Sequence, residues 1–135
     1  MRYHSKVDKM LNILYEDNHI IVVEKPPMVP VQQDSSGDPD LLTMLKAYIK
    51  DKYEKPGNVY LGLVHRLDRP VGGLMVFART SKAASRLSAQ IREGCMKKEY
   101  SAVAHGCVDK KGVMKDWLIK REDGMVTVSD ENTRG

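Results

Sequence analysis

Residues 65–69 join a histidine, two arginines and an aspartate in one short run. Its aspartate, Asp68, stands between Arg66 and Arg69, and two nearby guanidinium charges favour the ionised form of a carboxylate. An ionised carboxylate can act as a nucleophile or as a base. The same pattern is also typical of a surface ion pair in a turn, worth under about 1 kcal/mol. From the residues alone, both interpretations stay open.

The surrounding pattern predicts that Asp68 lies in a loop between two strands. Residues 59–64 and 74–78 are short apolar runs of strand length, and the polar segment between them ends at Gly72 and Gly73. Two glycines permit a tight return of the chain into the second strand. Reactive side chains are often found on loops that strands hold in place.

Further elements are expected on both sides of this loop. Four runs have the composition of strands, the first two forming a hairpin: residues 12–15, 19–23, 100–104 and 126–128. Apolar residues recur at helical spacing from 40 to 53, with Asp38 as the expected cap. A second helix is expected from Ser81 to Gly94. The fold class is therefore α+β, with a mixed, largely antiparallel sheet flanked by helices.

Composition indicates one soluble domain in the cytoplasm. The 135 residues are 41% hydrophobic and 30% charged, a balance typical of a single globular core. The longest apolar run, residues 20–23, is far shorter than a membrane span, and the polar N-terminus lacks a secretory signal. Cys95 and Cys107 match no metal spacing, so we expect reduced thiols packed as small apolar side chains.

The second helix carries an excess of positive charge. Residues 79–98 contain six lysines and arginines and one acidic residue, and Lys82 and Arg86 lie on the expected outer face. Such a face can neutralise phosphates of a nucleic acid. Charged helix faces are more often simply solvated, so charge alone does not decide.

Residues 65–80, with the sequence HRLDRPVGGLMVFART, resemble the signature segment of the RluA-type RNA pseudouridine synthases. Residues 13–17 and 20–26 are similar to that family's opening hairpin and its lysine–proline turn. Residues 98–100, followed by Gly106, are similar to its Lys-x-Tyr strand and glycine turn. The resemblance covers residues 13–106.

The resemblance implies isomerisation of uridine within RNA, without metal or cofactor. The glycosidic bond breaks, the uracil turns, and a ring carbon is joined to the ribose. Asp68 matches the catalytic aspartate, Arg66 the arginine that enters the space left by the flipped base, and Tyr100 the active-site tyrosine. Arg69, Lys82 and Arg86 are expected to bind RNA. His65, Gly72 and Gly73 are expected to be structural, His65 as a hydrogen-bonded imidazole.

This chain departs from the family pattern in three respects. Gly72-Gly73 stands where many relatives have Ser-Gly, and Met28 stands where they often have glycine or asparagine. Family catalytic domains also continue into a segment that places an arginine against the aspartate. Residues 1–135 are therefore expected to be a partial catalytic domain, monomeric, inactive or poorly active alone, and without a separate N-terminal RNA-binding domain.

Two other functions stay open. A non-catalytic RNA-binding module would keep the basic helix and dispense with chemistry, although an intact Asp68 argues against it. A metal hydrolase built on His65 and Asp68 is weaker, because the other histidines show no ligand spacing to that pair.

Overall fold

The two β-rich runs near the start of the chain pair as the antiparallel hairpin that the sequence predicts. Strand β1 spans Asn12–Glu16 and strand β2 spans Ile20–Lys25. Asp17 closes the turn, because its Oδ1 accepts hydrogen bonds from the amides of His19 and Ile20, both at 2.7 Å. These details come from a computed structural model, which describes residues 11–107 and 111–129.

The chain divides into two compact units, one ending at Lys98 and one beginning at Glu99. The first unit contains helix α1 (Leu41–Lys52), strand β3 (Gly62–Leu63), strand β4 (Gly73–Ala78) and helix α2 (Ser81–Arg92). Its sheet has the order β1-β2-β4-β3, and every pair is antiparallel. This arrangement confirms the predicted α+β class. Whether both units belong to one domain, as the length suggests, stays a prediction.

The core of the first unit lies between the sheet and α1. Strands β2 and β4 bury alternate side chains, among them Ile21, Val23, Met75 and Phe77, as expected for a sheet with one covered face. Helix α1 buries Leu41, Leu45 and Ile49 at the predicted helical spacing. Strand β4, which follows the Asp68 loop, therefore pairs with β2 on one edge and β3 on the other, and its buried side chains lie in the same core as those of α1.

Both helix starts differ from the predicted ones by one or two residues. Asp40, not Asp38, caps α1, since its Oδ1 accepts a hydrogen bond from the Thr43 amide at 2.9 Å. Thr80, not Ser81, caps α2 through its hydroxyl and the Ala83 amide. Asp38 is engaged elsewhere, with Arg69.

Two predicted strands differ in the structure. Strand pairing within residues 59–64 is limited to Gly62–Leu63. Val59 and Leu61 are buried in the core but lie outside the paired residues. The strand predicted at 100–104 is wrong: the backbone there is irregular and its side chains are exposed. A short apolar run does not form a stable strand without a neighbour to pair with.

The second unit contains an antiparallel hairpin. Strand β5 spans Trp117–Lys120 and pairs with strand β6, Val126–Ser129, which corresponds to the strand predicted at 126–128. Cys95, in the first unit, and Cys107, in the second, are free and exposed, so their predicted packing is wrong. In the part of the chain that the structure describes, neither helix has the length and apolar character needed to traverse a bilayer.

Candidate active site

Asp68 lies in the loop that connects β3 to β4, as predicted. The loop turns sharply at this point, because the Val71 amide donates to the Asp68 carbonyl oxygen at 3.0 Å. Asp68 and Arg66 are both exposed at the surface. A single turn thus presents one carboxylate and one guanidinium to solvent beside the central strand.

Lys25 supports this turn from inside the protein. Its side chain is fully buried, and its ammonium donates to the carbonyl oxygens of Pro26 at 3.1 Å, Val29 at 2.7 Å and Arg69 at 3.0 Å. Burial lowers the pKa of Lys25, and the charge of nearby Asp68 acts in the opposite direction. A buried ammonium needs all of its hydrogen-bond partners, so it holds the carbonyl next to Asp68 firmly in place.

His65 fixes the other end of the loop. Strand β3 pairs with β4 only as far as Leu63 opposite Phe77, and the next free amide of β4, that of Val76, donates to His65 Nε2 at 3.0 Å. An accepting Nε2 requires the neutral ring with its proton on Nδ1. Burial, followed by the charge of Lys98, lowers the pKa of His65 and favours that neutral form. The structural hydrogen bond expected of this histidine is present.

Within residues 11–107 and 111–129, no cluster of three or more His, Cys, Asp or Glu side chains has an arrangement suited to a metal ion. Nε2 of His65, one of the two ligands in the metal-hydrolase hypothesis, is occupied by the Val76 amide.

The loop returns into β4 by a close passage past the lysine–proline turn. A Cβ on Gly72 would lie 3.1 Å from Pro27 Cδ, and Gly73 has a φ of 145°. Met28, one residue further along the turn, has a φ of 67°. That left-handed conformation is costly for a residue with a Cβ, which gives a physical reason why glycine or asparagine would suit this position.

The guanidinium of Arg69 contacts the segment that precedes α1. Nε donates to the Met28 carbonyl at 3.1 Å, and Nη1 donates to Asp34 Oδ2 at 3.2 Å and to Ser36 Oγ at 2.9 Å. Nη2 forms an ion pair with Asp38. All three nitrogens of the guanidinium are therefore engaged by one neighbouring loop.

The Asp68 carboxylate differs from the other acids around it. Asp34 and Asp38 are paired with Arg69, and Asp17 accepts backbone amides. Among the described residues, no hydrogen bond or ion pair engages the side chain of Asp68, and the same holds for Arg66. The turn thus combines a fixed backbone with an exposed carboxylate.

The remaining predicted site residues lie outside this loop. Lys82 and Arg86 are exposed on α2, one turn apart, as the helical spacing predicts. Tyr100 belongs to the second unit, where 68% of its surface is exposed and its backbone is irregular. The structure brings His65, Arg66, Asp68 and Arg69 together with the two glycines in one loop.

The sequence predicts no role in the site for four residues that shape it, although Asp38 is expected to cap a helix: Lys25, Asp34, Ser36 and Asp38. Lys25 was noticed only as part of a turn, and its burial has no signal in composition. The composition of segment 32–38 indicates only a polar loop, and its partner Arg69 is too distant in the chain for local patterns to reveal the contact. Segment 34–38 contains two aspartates and two serines, and residues 65–69 contain two arginines. These opposite charges are the signal that could have suggested the pairing.

Comparisons with known proteins show which family the chain resembles. A family model described as RNA pseudouridylate synthase matches residues 19–135. Ribosomal large subunit pseudouridine synthase D of Haemophilus influenzae is 39% identical over 107 residues, covering 77% of this chain and 32% of that protein. Ribosomal large subunit pseudouridine synthase C of Buchnera aphidicola is 36% identical over 94 residues, covering 70% of this chain and 28% of that protein.

A solved structure is also similar. Human RNA Pseudouridylate Synthase Domain Containing 4 matches with a TM-score of 0.51 and 28% identity, covering 61% of this chain and 30% of that one. The chain thus spans about three tenths of the length of the proteins that it matches.

Proposed function

Because the chain belongs to the RNA pseudouridylate synthase family, we propose that its protein isomerises uridine in RNA to pseudouridine with Asp68 as the reactive carboxylate. The reaction breaks the bond between ribose and a uracil nitrogen and forms a bond between the same ribose carbon and a ring carbon. The uracil loses a proton at its newly bonded ring carbon and gains one at the nitrogen that leaves the ribose, so no redox partner is required.

The observation that carries the proposal is the free carboxylate on a fixed turn. Lys25 holds the Arg69 carbonyl, and the Val71 amide holds the Asp68 carbonyl, so the backbone that follows the Asp68 side chain is anchored at two successive carbonyls. Preorganised groups react with little rearrangement. Whether Asp68 attacks a carbon or removes a proton, the reaction needs an ionised carboxylate that the substrate can reach, and Asp68 is exposed.

Arg66 and Tyr100 are proposed to handle the base. Uracil inside a stacked helix must be flipped out, at a cost of a few kcal/mol. Arg66, exposed beside Asp68, has the flat guanidinium suited to stack and donate in the vacated space. The exposed ring of Tyr100 offers a surface on which uracil can stack.

The substrate is proposed to be ribosomal or transfer RNA. The relatives named above are described as ribosomal large subunit synthases, and the exposed Lys82 and Arg86 supply positive charge for phosphates. We place the protein in the cytoplasm, as a monomer that uses no metal. We also propose that the 135 residues turn over poorly alone, because they cover about three tenths of those relatives.

The experiment compares the product of the complete reading frame with its Asp68→Asn variant. We expect pseudouridine in ribosomal or transfer RNA with the unchanged protein, and a loss of at least about 10³-fold with Asp68→Asn, as when an essential reacting group is removed. RNA affinity should stay within about twofold, because the substitution keeps the shape of the side chain. Asp116→Asn, the same change at an exposed aspartate of the second unit, should leave turnover unchanged.

Two results would reject the proposal. Turnover that survives Asp68→Asn would remove Asp68 as the reactive group. RNA binding by both variants with no pseudouridine on any RNA tested would favour the non-catalytic RNA-binding module.

A further inference from the structure

Arg69 has an environment that the proposed chemistry does not use. It follows Asp68 in the chain, yet its guanidinium binds the segment 34–38, more than thirty residues earlier. That segment carries two carboxylates, on Asp34 and Asp38, with side chains 39% and 51% exposed. A basic side chain that could have faced RNA faces acidic groups of its own protein.

The acidic segment is already organised for this contact. Oδ1 of Asp34 accepts the Ser36 amide at 2.9 Å and the Ser36 hydroxyl, which in turn accepts the Asp38 amide at 3.1 Å. The second oxygen of Asp34, Oδ2, takes no part in these bonds and accepts a hydrogen bond from Arg69. The loop therefore presents a carboxylate, a hydroxyl and a second carboxylate to one planar cation.

The contact uses the whole fork of the guanidinium. Nε binds the Met28 carbonyl, Nη1 binds Asp34 and Ser36, and Nη2 binds Asp38. A lone surface ion pair contributes little to stability. Several charge-assisted hydrogen bonds that converge on one arginine form a network, which stabilises more than a single pair. A lysine could satisfy only part of it, because its ammonium is a point charge.

The backbone of the same residue is held from the opposite side. The buried ammonium of Lys25 donates to the Arg69 carbonyl at 3.0 Å. Any movement of segment 34–38 would therefore pull on a residue directly bonded to Asp68. We infer that Arg69 is a positioning residue, whose guanidinium ties the acidic segment 34–38 to the turn that carries Asp68 and offsets part of the charge of Asp34 and Asp38, in place of the RNA contact that the sequence suggests.

The inference rests on the proposed function only for its effect on RNA, so its first test uses no RNA. Amide hydrogen exchange is measured on Arg69→Ala and on Arg69→Lys. Both should raise exchange in segment 34–38 by about tenfold, the factor that corresponds to one lost charge-assisted hydrogen bond. Arg92→Ala, the same change at an exposed arginine of α2, should leave this exchange unchanged.

A second variant removes the other ends of the same contacts. Asp34→Asn combined with Asp38→Asn leaves Arg69 intact and should also raise exchange in segment 34–38. This variant keeps the inference testable if Arg69→Ala fails to fold. Unchanged exchange in both Arg69 variants and in the double variant would overturn the inference, even if the protein proves active.

The RNA arm separates positioning from direct contact. The dependence of RNA affinity on salt should keep its slope in Arg69→Ala, whereas loss of a phosphate contact would lower the slope by about 1. Arg69→Lys should lower the rate of pseudouridine formation on bound RNA by about tenfold or more while affinity stays within about twofold. A reduced slope in Arg69→Ala with full activity in Arg69→Lys would identify a phosphate contact and reject positioning. A wild-type protein without activity would reject only the proposed function.

Discussion

At the scale of single residues, the site is determined by which side chains are already engaged. Lys25, His65 and Arg69 all bear groups that could act on a substrate, yet each is directed to the protein itself. Asp68 and Arg66, on the same loop, are exposed. The pair proposed to react is thus distinguished from its neighbours by contacts rather than by residue type.

His65 should make the stability of the first unit sensitive to mild acid. Its pKa is lowered in the folded protein, so the unfolded chain takes up a proton first as the pH falls. Stability should be complete above the usual value of 6.5 and should decrease as the pH falls below it. Urea denaturation at a series of pH values measures this dependence.

His65→Gln supplies the comparison for that pH series. The substitution should cost about 1 kcal/mol near neutral pH, the typical worth of one hydrogen bond. The decrease in stability between neutral pH and about pH 5 should be smaller than in the unchanged protein, because this imidazole no longer titrates. An identical pH dependence in both proteins would show that His65 is not the titrating group.

At the scale of elements, α2 is the part of the first unit best suited to meet a polyanion. Its buried side is narrow, with Ala83 buried and Leu87 and Ile91 only half-buried. The exposed side carries Lys82, Arg86 and Arg92. A helix that uses so little surface for the core leaves a broad charged face.

Lys82→Ala combined with Arg86→Ala should weaken RNA binding without affecting the fold. If each side chain neutralises one phosphate, the slope of affinity against salt should fall by about 2, with similar losses for unrelated RNA sequences. Filter binding over a range of salt concentrations measures this. Lys46→Ala combined with Lys50→Ala makes the same change in charge on α1 and should leave the slope unchanged, whereas equal effects of the two pairs would argue against a specific basic face.

At the scale of the whole molecule, a charge network connects the elements of the first unit. It lies at the end of β4, whereas the Asp68 loop precedes the start of β4. Glu16 Oε2 accepts hydrogen bonds from Lys52 at 2.7 Å and Tyr48 at 3.1 Å, and Oε1 accepts from Tyr53 at 2.8 Å and Arg79 at 3.0 Å. The guanidinium of Arg79 also stacks 4.6 Å from the Tyr53 ring. The hairpin, the end of α1 and the end of β4 thus meet at one carboxylate.

Glu16→Ala should cost about 3 kcal/mol, because it leaves the nearly buried Arg79 without its carboxylate partner. Partial burial acts to raise the pKa of Glu16, but hydrogen bonds from Lys52 and the two tyrosines outweigh it and lower the pKa. The contribution should therefore be present above the usual value of 4.5 and be lost as the pH falls through the folded value.

Denaturation of Glu16→Ala beside Glu24→Ala checks this prediction. Glu24 lies on the next strand and binds only exposed Asn12 among the described residues, so its loss should cost under about 1 kcal/mol. Similar costs for the two variants would show that the network adds little.

The sequence was sufficient for the local features and insufficient for the contacts between distant segments. Periodicity located the hairpin, both helices and the loop of Asp68, because these depend on neighbours within a few residues. It failed at residues 100–104, where composition suggested a strand without identifying a partner. It also could not show that Lys25 and Asp38 meet the signature loop, since those contacts arise only when the sheet brings remote segments together.

The hairpin of β5 and β6 offers a practical consequence for spectroscopy. Trp117 on β5 is the one tryptophan of the sequence. Excitation at a wavelength that only indole absorbs therefore gives fluorescence from the second unit and none from the first. Fluorescence of the unlabelled protein can therefore follow the unit that begins at Glu99 separately when RNA is added.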